Sequence, residues 1–126
     1  MIQDFKLTIK FDYQIIAYYI LNRSKTAVWI DCFYLGRTAK IVLTGREAEF
    51  AEDMLALGIA DWNGRDFSLR RGVDYPAEFD DKPWQFYMKF DGEYISAKGN
   101  IFYPPNWQAV QKCLAEKWGA PKFALP

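Results

Sequence analysis

The chain contains no histidine. That absence removes the imidazole base that Ser-His-Asp and Cys-His nucleophilic systems require. It also removes the commonest ligand of zinc and non-haem iron sites. Cysteine is scarce: Cys32 and Cys113 are the only two, too few for a four-thiolate site. Each is expected to behave as a small buried apolar residue. No Gly-rich phosphate loop of either common type is present. Any catalysis would have to run on carboxylates, lysine, tyrosine or an oxygen-bound hard cation. The reading is therefore of a protein that is not an enzyme, with no catalytic residue, no metal site and no cofactor assigned.

Net charge is lacking too. Lys plus Arg is 16 and Asp plus Glu is 16. A zero balance gives no general pull toward nucleic acid or an anionic membrane, so nucleic acid is disfavoured as a partner. Long apolar runs are missing as well. The longest, Ile15 to Leu21, has 7 residues, where a membrane span needs about 20. Met1 to Phe5 shows no charged region leading into an apolar stretch, so no secretory leader is read there. A soluble, cytoplasmic protein without a membrane partner is expected.

What is present is a chain of 126 residues, 51% hydrophobic. That length suits one domain with a core of its own. Phe5, Leu7, Ile9 and Phe11 alternate with Lys6, Thr8 and Lys10, the period of a half-buried strand. Tyr13 to Leu21 is apolar on both faces and reads as a central, well-covered strand. Ala27 to Tyr34 and Thr38 to Leu43 read as a third and a fourth strand. The short connections at Asn22–Lys25 and Leu35–Arg37 favour an antiparallel meander.

Thr44-Gly45-Arg46-Glu47 matches a capping box and predicts a helix running to about Leu57, with Gly58 as its stop. Asp61-Trp62-Asn63-Gly64 reads as a turn, and Asp66 to Arg71 as a short edge strand. Trp84–Phe90 and Glu93–Gly99 flank Asp91-Gly92, the strongest short hairpin signal. A two-residue turn pairs Phe90 with Glu93, Met88 with Ile95, Phe86 with Ala97 and Trp84 with Gly99. Trp107, Val110, Cys113, Leu114 and Trp118 recur at helical spacing up to Gly119. The order ββββ-α-(β)-ββ-α predicts an α+β fold, a mainly antiparallel sheet with two helices packed on one face.

From about Leu43 to Trp118, roughly three-fifths of the chain, the sequence resembles a family of small bacterial α+β proteins without an assigned activity. The residues that carry the likeness are Trp62-Asn63-Gly64, then Trp84 to Gly92, then Gly99-Asn100 through Pro104-Pro105-Asn106-Trp107. They correspond to a Trp-x-Gly turn, a Trp-led hairpin closing on Asp-Gly, and a Gly-x-Asn followed by Pro-x-Asn-aromatic. These motifs are structural punctuation, so the resemblance implies a fold and no chemistry.

Three groups of residues are candidates for function. Asp74, Glu78, Asp80 and Asp81 share one loop and fit a solvated surface or contact with a basic partner better than a calcium loop. Arg65, Arg70 and Arg71 suit the protection of an edge strand. Tyr13, Tyr18, Tyr19, Trp29, Phe33 and Tyr34 give the meander more large rings than one buried face holds. Either these rings are core and ordinary cover, or some form a partner surface. Asn100 and Asn106 are expected to serve turns and caps.

The functional expectation is a non-catalytic protein-binding module, such as an immunity protein or a phage-encoded inhibitor. Its partner-binding residues would be Tyr18, Trp29, Phe33, Asp74, Glu78, Asp80 and Asp81. The alternative is a self-associating structural domain, a homodimer joined through the aromatic face. A carboxylate-based metal-dependent enzyme is the remote alternative.

Overall fold

Alternating hydrophobicity along most of the chain produces one sheet, and among the described residues its helices lie on a single face. The computed structural model describes residues 1–11, 14–67, 83–100 and 102–121. Tyr13, Arg70, Arg71 and the acidic group Asp74, Glu78, Asp80 and Asp81 lie outside the described residues. The elements are β1 (Ile2–Phe11), β2 (Gln14–Arg23), β3 (Val28–Tyr34), β4 (Arg37–Val42), α1 (Glu47–Ala56), a 3-10 turn (Ile59–Trp62), β5 (Arg65–Asp66), β6 (Pro83–Phe90), β7 (Glu93–Asn100) and α2 (Trp107–Glu116). Among the described residues the sheet has 7 strands in the order β4-β3-β2-β1-β6-β7-β5. Every pairing is antiparallel except β5 with β7. The fold is α+β, as the order of elements predicts.

β1 is the axis of the sheet. Its Leu7 pairs with Tyr19 on one side and with Phe86 on the other. Phe5, Leu7 and Ile9 are buried beside Ala17, Tyr19, Ile30, Ile41, Trp84, Phe86 and Met88, in one contiguous core. The helices pack on this face. Phe50 of α1 meets Phe5 edge-on at 5.2 Å and Trp118 at 5.2 Å. Trp107 of α2 lies 5.7 Å from Trp84, and Trp62 of the 3-10 turn lies 5.3 Å from Phe86. Three indoles that enter this layer also place their N–H groups. Trp62 donates to the Pro105 carbonyl, Trp84 to the Phe102 carbonyl and Trp118 to Asp53.

The β6–β7 hairpin has the predicted register, from Phe90 opposite Glu93 to Trp84 opposite Gly99. Asp91 (φ 49°) and Gly92 (φ 83°) both take the left-handed conformation that a tight two-residue turn demands. Gly99 is required for another reason. A Cβ there would stand 2.7 Å from Trp84 Nε1, so the indole lies flat on bare backbone.

Several expectations are corrected. The capping box does not form. Helix α1 begins at Glu47, with Arg46 at its N-cap and no side-chain cap. Thr44 Oγ instead accepts from the Val28 amide and donates to the Val28 carbonyl, prolonging the β3–β4 ladder. Glu47 accepts from the Ile2 amide and from Arg23. Long-range partners thus outcompete the local cap.

The Asp61–Gly64 turn is preceded by a 3-10 turn that buries Trp62 completely. β2 is interior in strand order, but only its Ala17–Tyr19 face is roofed by helices; Tyr18 and Ile20 on the other are half-buried. The edge strand is Arg65–Asp66, one residue earlier than expected, and pairs parallel with β7. Cys32 is buried whereas Cys113 is only partly so. Asn106 caps, but not its own helix: its Nδ2 donates to the Leu57 carbonyl at 2.9 Å, tying the end of α1 to the start of α2. Among the described residues, no helix is long and apolar enough to cross a membrane.

Candidate binding surface on the unroofed sheet face

Strand alternation sends every second residue away from the helices. On β2 and β3 these are Tyr18, Ile20, Asn22, Trp29, Asp31 and Phe33. The antiparallel register sets Tyr18 opposite Phe33, Ile20 opposite Asp31 and Asn22 opposite Trp29. Tyr18 and Phe33 stack at 5.3 Å with their planes 12° apart. Trp29 lies on the same strand as Phe33, four residues earlier, or about 13 Å along a strand. All three rings are half-buried. Tyr18, Trp29 and Phe33 thus lie on one face, Tyr18 and Phe33 in contact and Trp29 set apart along β3.

Tyr19 and Tyr34 belong to the other side. Tyr19 is buried in the core, and Tyr34 packs against it. Burial, with Cys32 and Tyr34 nearby, raises the Tyr19 phenol well above its ordinary value. Burial also pushes the Cys32 thiol up to about 12, with the Asp31 charge adding to it. Cys32 is thus held as a neutral thiol and contributes no nucleophile near neutral pH. Among the described residues, no group of three or more His, Cys, Asp and Glu side chains could hold a metal ion.

The surroundings of Trp29 were not legible in the sequence. Lys40, opposite Asp31 on β4, carries its ammonium 5.4 Å from the centre of the Trp29 ring. The Trp29 indole nitrogen is buried, yet it has no hydrogen-bond partner. Asn22 Nδ2 donates to the Asp31 carboxylate beside it. On the edge strand β4, Val42 is 60% exposed next to Trp29. An indole N–H without a partner is costly in a folded protein. Here it sits on the face that no described helix covers.

The same face continues across β1, β6 and β7. Thr8 is buried between Tyr18 and Gln85. Tyr87 stacks on the exposed Tyr94 at 6.2 Å. A recess of about 430 Å³ opens there, lined by Lys6, Arg65, Asp66, Gln85, Tyr87 and Lys98 among others. The alternation of Lys6, Thr8 and Lys10 hinted at a polar face on β1. Only the pairing of β1 with β6 brings Lys6 beside Tyr87, and nothing local in the sequence encodes that pairing. No family model matches the chain, and no curated protein or solved structure is found to be similar to it.

Proposed function

We propose that the chain is a non-catalytic protein-binding module that engages its partner through the unroofed sheet face, in the manner of an immunity protein or a phage-encoded inhibitor. The observation that carries this reading is the Trp29 site. A large ring is half-buried on an open sheet, its N–H is left without an acceptor, and the stacked Tyr18–Phe33 pair lies farther along the same face. Tyrosine and tryptophan supply much of the energy of protein interfaces, because each buries a large rigid area and carries one polar handle. A partner offering an acceptor at Trp29 would relieve an orphaned donor as well as cover apolar surface.

The test is affinity purification from the encoding organism, with the wild-type chain and the Trp29→Ala/Phe33→Ala double variant. The wild type is expected to retain a stoichiometric protein that the double variant loses while keeping its circular dichroism spectrum. Recovery of the chain alone, or retention of the partner by the variant, would overturn the reading. Self-association is the second reading, favoured by the Val42 edge of β4. A dimer in sedimentation equilibrium that dissociates in the double variant would select it.

A further inference from the structure

The charged groups of the unroofed face differ in kind from those beside the helices. On the helix side, Arg46 pairs with Glu49, Lys117 with Glu49 and Asp53, and Arg23 with Glu47, at 2.7–3.2 Å. On the open face, Lys6, Lys10, Lys40 and Lys89 take part in no ion pair among the described residues, and Lys98 has only a long one to Asp66 at 3.9 Å. These lysines surround the rings. Lys6 lies between Ile20 and Tyr87, Lys40 over Trp29, and Lys10 opposite the exposed Ile15. Lys6, Arg65 and Lys98 also line the recess, against Asp66 as the one carboxylate among the described residues.

Resting on the protein-binding reading, we propose that the partner presents an acidic polypeptide surface, with carboxylates placed on the Lys6–Lys98 recess and beside Lys40. Apolar side chains of that partner then cover Tyr18, Trp29 and Phe33. The layout has an apolar centre and a rim in which lysines outnumber carboxylates, with Asp4 opposite Lys89 and Asp66 in the recess standing among them; such a layout gives a protein interface both contact area and electrostatic selectivity. A carboxylate arriving beside Lys40 draws the ammonium from the indole face and offers the acceptor that Trp29 lacks. A polynucleotide suits the face less well. A phosphate backbone carries charge at every unit and would meet Asp31 amid the rings and Asp66 in the recess, whereas a polypeptide can set single carboxylates beside Lys6, Lys98 and Lys40 and neutral groups against the two aspartates.

The experiment titrates the whole chain, followed by amide NMR shifts and Trp fluorescence, with synthetic probes. One peptide of about 16 residues alternates Leu or Phe with Glu, a second replaces every Glu by Lys, and the third probe is an oligothymidylate. The acidic peptide is expected to shift residues of β1–β4 on the open face and those of β6 and β7 that line the recess. Its affinity should fall at least about tenfold between low and high salt, and by a similar factor in Lys6→Glu/Lys40→Glu. Lys6→Arg/Lys40→Arg should restore most of it, which loss of folding would not allow.

Absence of binding by the acidic peptide, or equal binding by the basic one, overturns the proposal. Tighter binding of the oligothymidylate assigns the face to nucleic acid and overturns it too. So does a concentration-dependent shift of the same residues without any probe, which identifies a second copy as the occupant. If a protein partner is still captured through Trp29 and Phe33 while the acidic peptide fails, the acidic inference alone falls. Loss of both removes the protein-binding reading itself.

Discussion

Trp118 donates its indole N–H to Asp53 at 3.0 Å, while Lys117, its neighbour in sequence, reaches the same carboxylate at 2.7 Å. Asp53 is on α1 and the two donors follow α2, so one carboxylate fastens the helices to each other. Arg46 carries its guanidinium over the Trp118 ring, 4.3 Å from its centre. Asp53→Ala leaves a nearly buried indole N–H without an acceptor and should cost about 1–3 kcal/mol. Urea unfolding checks this, and Trp118→Phe in the same background should recover part of the loss.

The same junction sets an acid limit. Arg46 and then Lys117 bond Glu49 and hold its carboxyl at about 2, below its ordinary 4.5. A depressed carboxyl contributes its full stability above its unfolded-state value and loses it as pH falls through the folded-state value. The contribution of Glu49 is therefore complete above about 4.5 and disappears toward about 2. Thermal midpoints measured down this range should fall less steeply in Glu49→Gln than in the wild type. Added salt should narrow the difference, because the Glu49 side chain is 42% exposed and its ion pairs are open to screening.

The displaced cap has a thermodynamic signature. Thr44 bonds Val28 and Glu47 bonds Arg23 and the Ile2 amide, so the two side chains act separately. Thr44→Val and Glu47→Gln should each destabilise by about 1 kcal/mol and be additive within about 0.5 kcal/mol. Arg23→Gln with Glu47→Gln should instead show measurable coupling. A double-mutant cycle that couples Thr44 to Glu47 would restore the capping box.

Gly99→Ala places a methyl within 2.7–2.8 Å of three atoms of the Trp84 ring. Trp84 is held by the bond of its Nε1 to the Phe102 carbonyl and by Trp107, Phe67 and Tyr103 around it, so the ring has little room to retreat. A loss of about 1–3 kcal/mol is expected from overpacking. Chemical denaturation measures it, and a change below about 0.5 kcal/mol would show that the indole shifts freely.

Cysteine alkylation separates the two thiols. Cys32 is buried, with its thiol pushed up to about 12, whereas Cys113, also raised by burial, is partly accessible. Iodoacetamide at mildly alkaline pH should modify Cys113 first and reach Cys32 only on unfolding. Equal rates in the folded protein, read by intact-mass spectrometry, would show that the β3 region opens locally.

Signals confined to a short window were legible in the sequence. The Asp91-Gly92 turn and the alternation on either side of it specify the β6–β7 register residue by residue, because a slip by one would turn Trp84, Phe86 and Met88 outward. The meander was readable for the same reason, whereas the sharing of one face by Tyr18, Trp29 and Phe33 follows from the β2–β3 register. Features that depend on distant partners were hidden. The capping box gave way because Val28 and Arg23, on other strands, compete for Thr44 and Glu47. The basic recess depends on β6 settling against β1, which no local pattern announces. The buried indole of Trp29 depends on Lys40 folding over it from the neighbouring strand.

The central place of β1 bears on how the molecule is made. Its Leu7 leaves the ribosome early but must wait for Phe86 before its second flank is closed. Until then the nascent meander carries an open, apolar border along the residues that become the middle of the sheet. Native closure is therefore a late, long-range event, and slow relative to the local hairpins. Translation pauses or truncations ahead of β6 would leave this border free to pair with the same border of another nascent chain.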